Sequence, residues 1–343
     1  SSGLKNNGSM WAGRQAQRQL VIEALKAAVD ANTDVREDQY QFNLIVAPGY
    51  PELIQNMVGL NNDRANTAFV IGDTPFRLPA NGTALTNYGD NTVGAVENND
   101  TAAVTYDTGL AMFYPSGYTN DNLGNNIVVP PSHMMLRTIA RSDAVSYPWF
   151  APAGVRRGGI DNVTRLGYIT GTGEFFAVGV RQGVRDILYE NAVNPLTYSP
   201  VTGIINDGNK TRSSSNSALD RINVARLIAF MRTQLDKIVR PFLFEPNDKI
   251  TRDQIKRVIE GAMNDLVAKR GIYDFLVVCD TTNNTGQVIY VNNYDNSSSV
   301  AINPGQGYYF YLTTNTTAGG TWNNFLYASG TSSADASSLA GSG

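Results

Sequence analysis

Apolar residues recur at helical spacing over residues 12–31, where Leu20, Val21, Ala24, Leu25 and Ala28 share one face. Residues 41–46 predict a buried strand, closed by Ala47-Pro48-Gly49. Pro51 stands where a short helix starts, with Leu53, Ile54, Met57 and Val58 on its apolar side. Residues 67–72 predict a second strand, and the order strand, helix, strand predicts a right-handed crossover between parallel neighbours. Residues 74–108 lose this rhythm to Pro, Gly, Asn, Asp and Thr, and are expected to form a long insertion or surface excursion. A third strand is predicted at 109–115, then a loop at 121–126. Pro130-Pro131-Ser132 opens a helix with Met135, Ile139 and Ala140 turned inward.

Beyond an aromatic, Pro-rich loop at 147–154, a helix is predicted over 181–192 and a short strand over 203–205. Two long helices follow. Residues 218–239 carry Val224, Leu227, Ile228, Met231, Leu235 and Ile238, and Pro241 ends the run. Residues 251–270 open on a Thr251-x-x-Gln254 capping box and close at Gly271. Residues 272–280 read as a central strand containing Cys279. After Thr281 come short strand-like runs at 287–291, 300–302 and 307–312, then a flexible Ser/Gly-rich tail. The expected fold class is α/β: a mixed, largely parallel sheet flanked by helices, with a loop-rich insertion near 74–108 and a β-rich C-terminal segment. The expected division is a core over 1–283 and the β-rich segment over 284–343.

Composition removes several function classes. A single His and a single Cys among 343 residues leave no Cys/His zinc site and no internal disulfide. Net charge −3 argues against a nucleic-acid-binding protein, and no apolar run approaches the ~18–20 residues of a membrane span. The charge is uneven, however: residues 181–270 hold 15 Lys and Arg against 10 Asp and Glu, while the remainder is acidic. The chain does not begin with Met, and the expectation is a fragment or processed product.

Candidate chemistry is sparse. The glycines of 171–179 lack the Lys-Ser/Thr ending of a phosphate loop. Ser132 and His133 are adjacent at a helix start, point different ways and lack a Gly-x-Ser-x-Gly elbow, so a cap beside a surface imidazole is expected. Cys279, within an apolar run, is expected to be inert. Arg156 and Arg157 form a small basic loop, either solvated or facing an acidic neighbour. Catalytic residues, cofactors and metals are all expected to be absent.

Val128-Val-Pro-Pro-Ser132 leads to Ile139-Ala-Arg-Ser-Asp143 and then to Pro148-Trp-Phe-Ala-Pro-Ala-Gly154. Arg221-Ile-Asn-Val-Ala-Arg-Leu-Ile228, Phe244-Glu-Pro-Asn-Asp248 and Val277-Val-Cys-Asp280 follow, and Leu44-Ile-Val-Ala-Pro-Gly49 precedes them. In this order the segments resemble contractile tail sheath proteins, although Ala225 stands where that family commonly has Arg. The 206–211 segment matches only loosely.

The resemblance implies a structural subunit of a phage tail sheath. Such a subunit polymerises helically around a tail tube and contracts to drive the tube through a host envelope, storing energy in assembly geometry. The implied partners are other sheath subunits, the tail tube protein, and baseplate and tail-terminator proteins. The implied setting is the virion tail, assembled in the host cytoplasm. A missing N-terminal arm would leave this chain monomeric. A bacterial contractile injection system is the alternative within the family, and a carbohydrate-binding adhesin module or a cofactor-independent hydrolase the alternatives outside it. Among candidate interface residues, Phe244, Glu245, Pro246, Asn247 and Asp248 form a turn bracketed by Pro241 and Pro246. Phe244 is expected to be buried there, with Glu245 or Asp248 fixing the turn by hydrogen bonds.

Overall fold

A computed structural model describes residues 12–37, 39–91, 103, 105–280 and 283, and the backbone of four strands between 289 and 329. The chain divides into two compact units, residues 1–237 and 238–343.

The first unit opens with α1 (Ala12–Ala31), β1 (Leu44–Val46), α2 (Ile54–Asp63) and β2 (Phe69–Asp73). Then come α3 (Gly82–Asp90), β3 (Leu110–Tyr114), β4 (Ser116–Asn120), β5 (Asn126–Val129) and α4 (Pro131–Val145). Next are α5 (Gly154–Arg157), β6 (Gly159–Ile160), β7 (Arg165–Ile169), β8 (Phe175–Ala177) and α6 (Gln182–Glu190). It ends with β9 (Val193–Ser199), β10 (Gly203–Asn206) and most of α7 (Ile222–Val239).

The main sheet runs β1-β2-β3-β9-β10-β6. β1, β2, β3 and β9 are parallel, and β10 and β6 continue it antiparallel. Every residue of β2 and β3 is buried, as expected for parallel strands covered on both faces. The period-2 pleat divides them. Val70, Leu110, Met112 and Tyr114 join a core with Ile54, Met57, Leu85 and Leu188, while Phe69, Ile71, Ala111 and Phe113 join another with Met134, Met135, Ile139 and Ile222. A second, antiparallel sheet runs β5-β4-β7-β8.

Within the segment expected to be a surface insertion, the chain instead reaches the core. Leu78, Leu85 and Tyr88 are buried, and Asn81 caps α3 by accepting from the Ala84 amide at 2.8 Å. The segment's described residues are polar because they form caps and turns around a few anchoring apolar side chains. The Arg212 guanidinium donates to the carbonyls of Gly89, Ala103 and Asn191.

The second unit holds α8 (Lys249–Ala268) and two antiparallel hairpins, β11 (Ile289–Asn292) with β12 (Ser299–Ile302) and β13 (Gln306–Thr314) with β14 (Thr321–Ser329). Residues 272–280, expected to be a central strand, pair with no described strand. Their side chains are half-buried or exposed, with Tyr273 and Leu276 fully or largely open. The apolar period was real, but β-propensity without a ladder partner does not make a strand. The expected flexible tail lies outside the described residues.

Candidate functional site

Several of the segments singled out in the sequence converge inside the first unit. Pro130 is extended and Pro131 occupies the first helical position of α4. This delivers Ser132 to Asp73, at the end of β2. Asp73 Oδ1 accepts from the Ser132 amide at 2.6 Å, and Oδ2 accepts from Ser132 Oγ and the Gly49 amide, both at 2.8 Å. Gly49 has φ +81°, the left-handed conformation its turn requires. One carboxylate therefore ties the end of β1, the end of β2 and the start of α4. Burial pushes the Asp73 carboxyl up to about 6, against the opposing pull of these three hydrogen bonds. Ser132 is buried and its hydroxyl is committed to Asp73, whereas His133 is exposed. They form no nucleophile–base pair.

Asp143 meets Arg226 in an ion pair at 2.5 Å, and Arg226 also donates to the Pro148 carbonyl at 3.2 Å. Arg226 is 2% exposed. Trp149 lies edge-on to Phe230 with ring centroids 5.2 Å apart, and Asn206 Nδ2 holds the Pro152 carbonyl at 2.8 Å. The Ala225 departure is accommodated because residue 225 is buried in the core, and the neighbouring Arg226 carries the charge. The 206–211 segment also has an interior role: Asn194 grips Lys210 through the amide and carbonyl, at 2.7 Å each.

The remaining candidates are surface groups. Arg156 is exposed, and Arg157 stacks over Phe150 at 4.7 Å while donating weakly to the Ala151 carbonyl. Cys279 is half-buried, outside any strand. Phe244, expected to be buried, is fully exposed. Its φ of +71° turns the side chain away from the tight bend between the Arg240–Phe242 turn of helix and α8. Asp248 does fix this bend, accepting from the Thr251 amide at 2.7 Å as the N-cap of α8. The cap therefore lies three residues before the Thr251 expected from the capping box. That hydrogen bond, first among several, holds the Asp248 carboxyl below its ordinary value. Glu245 accepts no hydrogen bond from a described residue.

A cleft of about 230 Å³ opens between the start of β1 and α7, lined by Phe42, Phe69, Pro148, Ala229, Phe230 and Thr233 among others. No cluster of metal-binding side chains occurs among the described residues, and no described helix is long and apolar enough to cross a membrane.

Residues 214–304 match the phage tail sheath C-terminal domain family. Over 301 residues the chain is 31% identical to the tail sheath protein of Vibrio phage KVP40, covering 87% of this chain and 40% of that protein. Over 155 residues it is 40% identical to the tail sheath protein of Enterobacteria phage T4, covering 45% of this chain and 22% of that one. The chain thus spans less than half the length of these relatives. Its fold is similar to the contracted sheath of the PVC extracellular contractile injection system, with TM-score 0.53 and 18% identity over 82% of this chain and 69% of that one. It is also similar to the contracted helical sheath of the anti-feeding prophage, with TM-score 0.51 and 16% identity over 80% and 70%. The resemblance to contractile tail sheath proteins holds.

Proposed function

We propose that this chain is part of a structural subunit of a contractile phage tail sheath, a protein that assembles with copies of itself and performs no catalysis. The observation that carries this reading is the 31% identity to the KVP40 tail sheath protein sustained over 301 residues, which is not confined to one motif or one unit. The buried polar groups support a mechanical role. Asp73, Arg226 and Asn206 are spent on tying strands, helices and loops together, which makes a stiff body that can be moved as a whole. In this reading the subunits surround a tail tube, abut a baseplate at one end and a terminator at the other, and release energy by exchanging one lattice of contacts for another. Its place is the virion tail, after assembly in the host cytoplasm.

The second reading, the sheath of a bacterial contractile injection system, is supported by the fold neighbours. The phage reading is preferred because the phage proteins match at 31% and 40% identity, against 16–18% for the injection systems. Electron microscopy of the protein expressed with a tail tube protein tests the proposal. Helical sheaths around tubes are expected, and dispersed particles under all assembly conditions would overturn it.

A further inference from the structure

We infer that the outer face of α4 on one copy of this chain docks against the outer face of α6 on a second copy, through Arg137 and Arg141 on the first and Asp186 and Glu190 on the second. The inference rests on the sheath reading for its biological setting, while the two faces come from the structure alone.

Each helix carries a like-charged pair, four residues apart, on its exposed side. On α4 the pair is Arg137 and Arg141, which share one carboxylate: Asp161 lies 2.9 Å from Arg137 and 3.5 Å from Arg141. α5 packs beside α4 and adds Arg156, exposed and without an ion pair among the described residues. This face therefore carries more positive charge than it neutralises. On α6 the pair is Asp186 and Glu190, both exposed. Neither makes an ion pair or a side-chain hydrogen bond among the described residues. The nearby cations are engaged elsewhere or lie further off. Arg185 pairs with Asp207 at 2.7 Å, Lys210 and Arg221 lie over the Tyr189 ring, and Arg181, at the N-cap, precedes Asp186 by more than a turn. Like charges four residues apart weaken the helix that carries them. Two such pairs of opposite sign and equal spacing relieve each other when the helices lie side by side across an interface.

Their placement selects a second copy as the occupant. α4 packs through Met134, Met135 and Ile139 on one face of the main sheet, and α6 packs through Leu188 on the other. The two charged faces look away from each other, on opposite sides of the same sheet, and cannot meet within one chain. A contact between them is heterologous, so it repeats from copy to copy as a ring or helix and does not close as a pair. Neither charged pair follows its own stretch of sequence: Arg137 and Arg141 stand in the acidic remainder, Asp186 and Glu190 in the basic 181–270. Their pairing is a local match, separable from the general attraction of basic for acidic surface.

The test is sedimentation of the full chain at millimolar concentration and low salt, where the native chain should associate weakly and reversibly. An acidic form, with Arg137→Glu and Arg141→Glu, should weaken this association about tenfold, and so should a basic form, with Asp186→Lys and Glu190→Lys. An equal mixture of the two forms should restore it, because each offers the face that the other lacks. A control with Glu23→Lys and Asp253→Lys changes net charge as much as the basic form does and should associate like the native chain. All forms should melt like the native chain, since exposed ion pairs contribute little to the fold. If reversal beside Asp161 lowers the melt, Arg137→Gln with Arg141→Gln should weaken association in the same direction without it. A reversed form that associates like the native chain overturns the inference. So does a mixture that stays dispersed, a control that fails with the basic form, or a native chain that is monomeric at millimolar concentration. With a tail tube protein present, sheaths that form as readily from the acidic form alone overturn the contact and leave the sheath reading standing. Restored association in a protein that never forms sheaths supports the contact and removes the sheath reading.

Discussion

Asp73 and Arg226 are buried charged side chains with different supports. Arg226 has a carboxylate partner, Asp143, and the pair pins α4 to α7. Asp73 has three donors but no cation among them. Removing Asp143 strands the guanidinium, so Asp143→Ala should cost about 3–5 kcal/mol in urea unfolding, and Arg226→Met distinctly less. For Asp73 the sign follows from burial. Its folded value of about 6 lies above the ordinary 3.8, so the fold binds the proton more tightly than the unfolded chain does. Its contribution to stability is greatest at low pH and is lost as pH rises from about 4 to about 6. The stability gap between the native chain and Asp73→Asn should therefore widen on acidification through that window, by at most about 3 kcal/mol, and stay flat above pH 7. A gap that narrows on acidification would mean that the hydrogen bonds outweigh desolvation. The carboxyl ¹³C shift of Asp73 reads the titration directly. Sequence spacing placed Ser132 at a helix start but gave no sign of Asp73, because the two are 59 residues apart and meet only through the crossover.

At the scale of elements, periodicity found what was apolar and missed what was polar for structural reasons. β1, β2, β3, β10 and the long helices were legible. β9 was not, because Asn194 and Pro195, residue types that strands disfavour, interrupt its apolar run. In the fold they lie in a central strand, where Asn194 Nδ2 donates to the Met112 carbonyl at 3.0 Å. The β5-β4-β7-β8 sheet was also missed, since its strands are too short for an alternating pattern to stand out. Two predictions belong here. Ile222, Ala225 and Ala229 share one buried face of α7, and Leu227, off that face, is also buried, so Leu227→Ala should cost about 2–5 kcal/mol. Ile259 on α8 is only half-buried, and Ile259→Ala should cost less than half as much by the same melts. In β7, a Cβ at Gly167 would land on the Phe176 carbonyl oxygen of the paired strand. Gly167→Ala should cost about 1–3 kcal/mol and speed amide exchange along β8, leaving β2 and β3 protected.

For the whole molecule, most of the segments that carry the resemblance mark its scaffold. Asp143, Pro148, Pro152 and Arg226 are held by one another or by Asn206 within the first unit, whereas the Phe244–Asp248 bend is surface. A resemblance resting on buried motifs therefore conveys the fold and the family more securely than it conveys the lattice. In the proposed sheath the lattice would depend on what is left outside, and along the sequence the charge is segregated. Residues 181–270 hold 15 basic and 10 acidic side chains, in a chain whose net charge is −3. The exposed Arg221, Arg232 and Arg257 and the half-buried Arg185 and Lys256 belong to that stretch. Copies packed so that the basic stretch of one faces acidic surface of the next attract through solvent-exposed charge, and salt screens such attraction as the Debye length falls from ~10 Å at 0.1 M to ~3 Å at 1 M. Apolar docking responds in the opposite direction to kosmotropic salts, which strengthen burial. In the proposed sheath, assembly of the protein, measured by pelleting, should therefore weaken between 0.1 and 1 M sodium chloride and recover in part when sulfate replaces chloride at equal ionic strength. Pelleting that is indifferent to both would remove charge attraction from the lattice. Weakening in chloride without recovery in sulfate would leave charge as its main cohesion and leave little weight for apolar burial between copies.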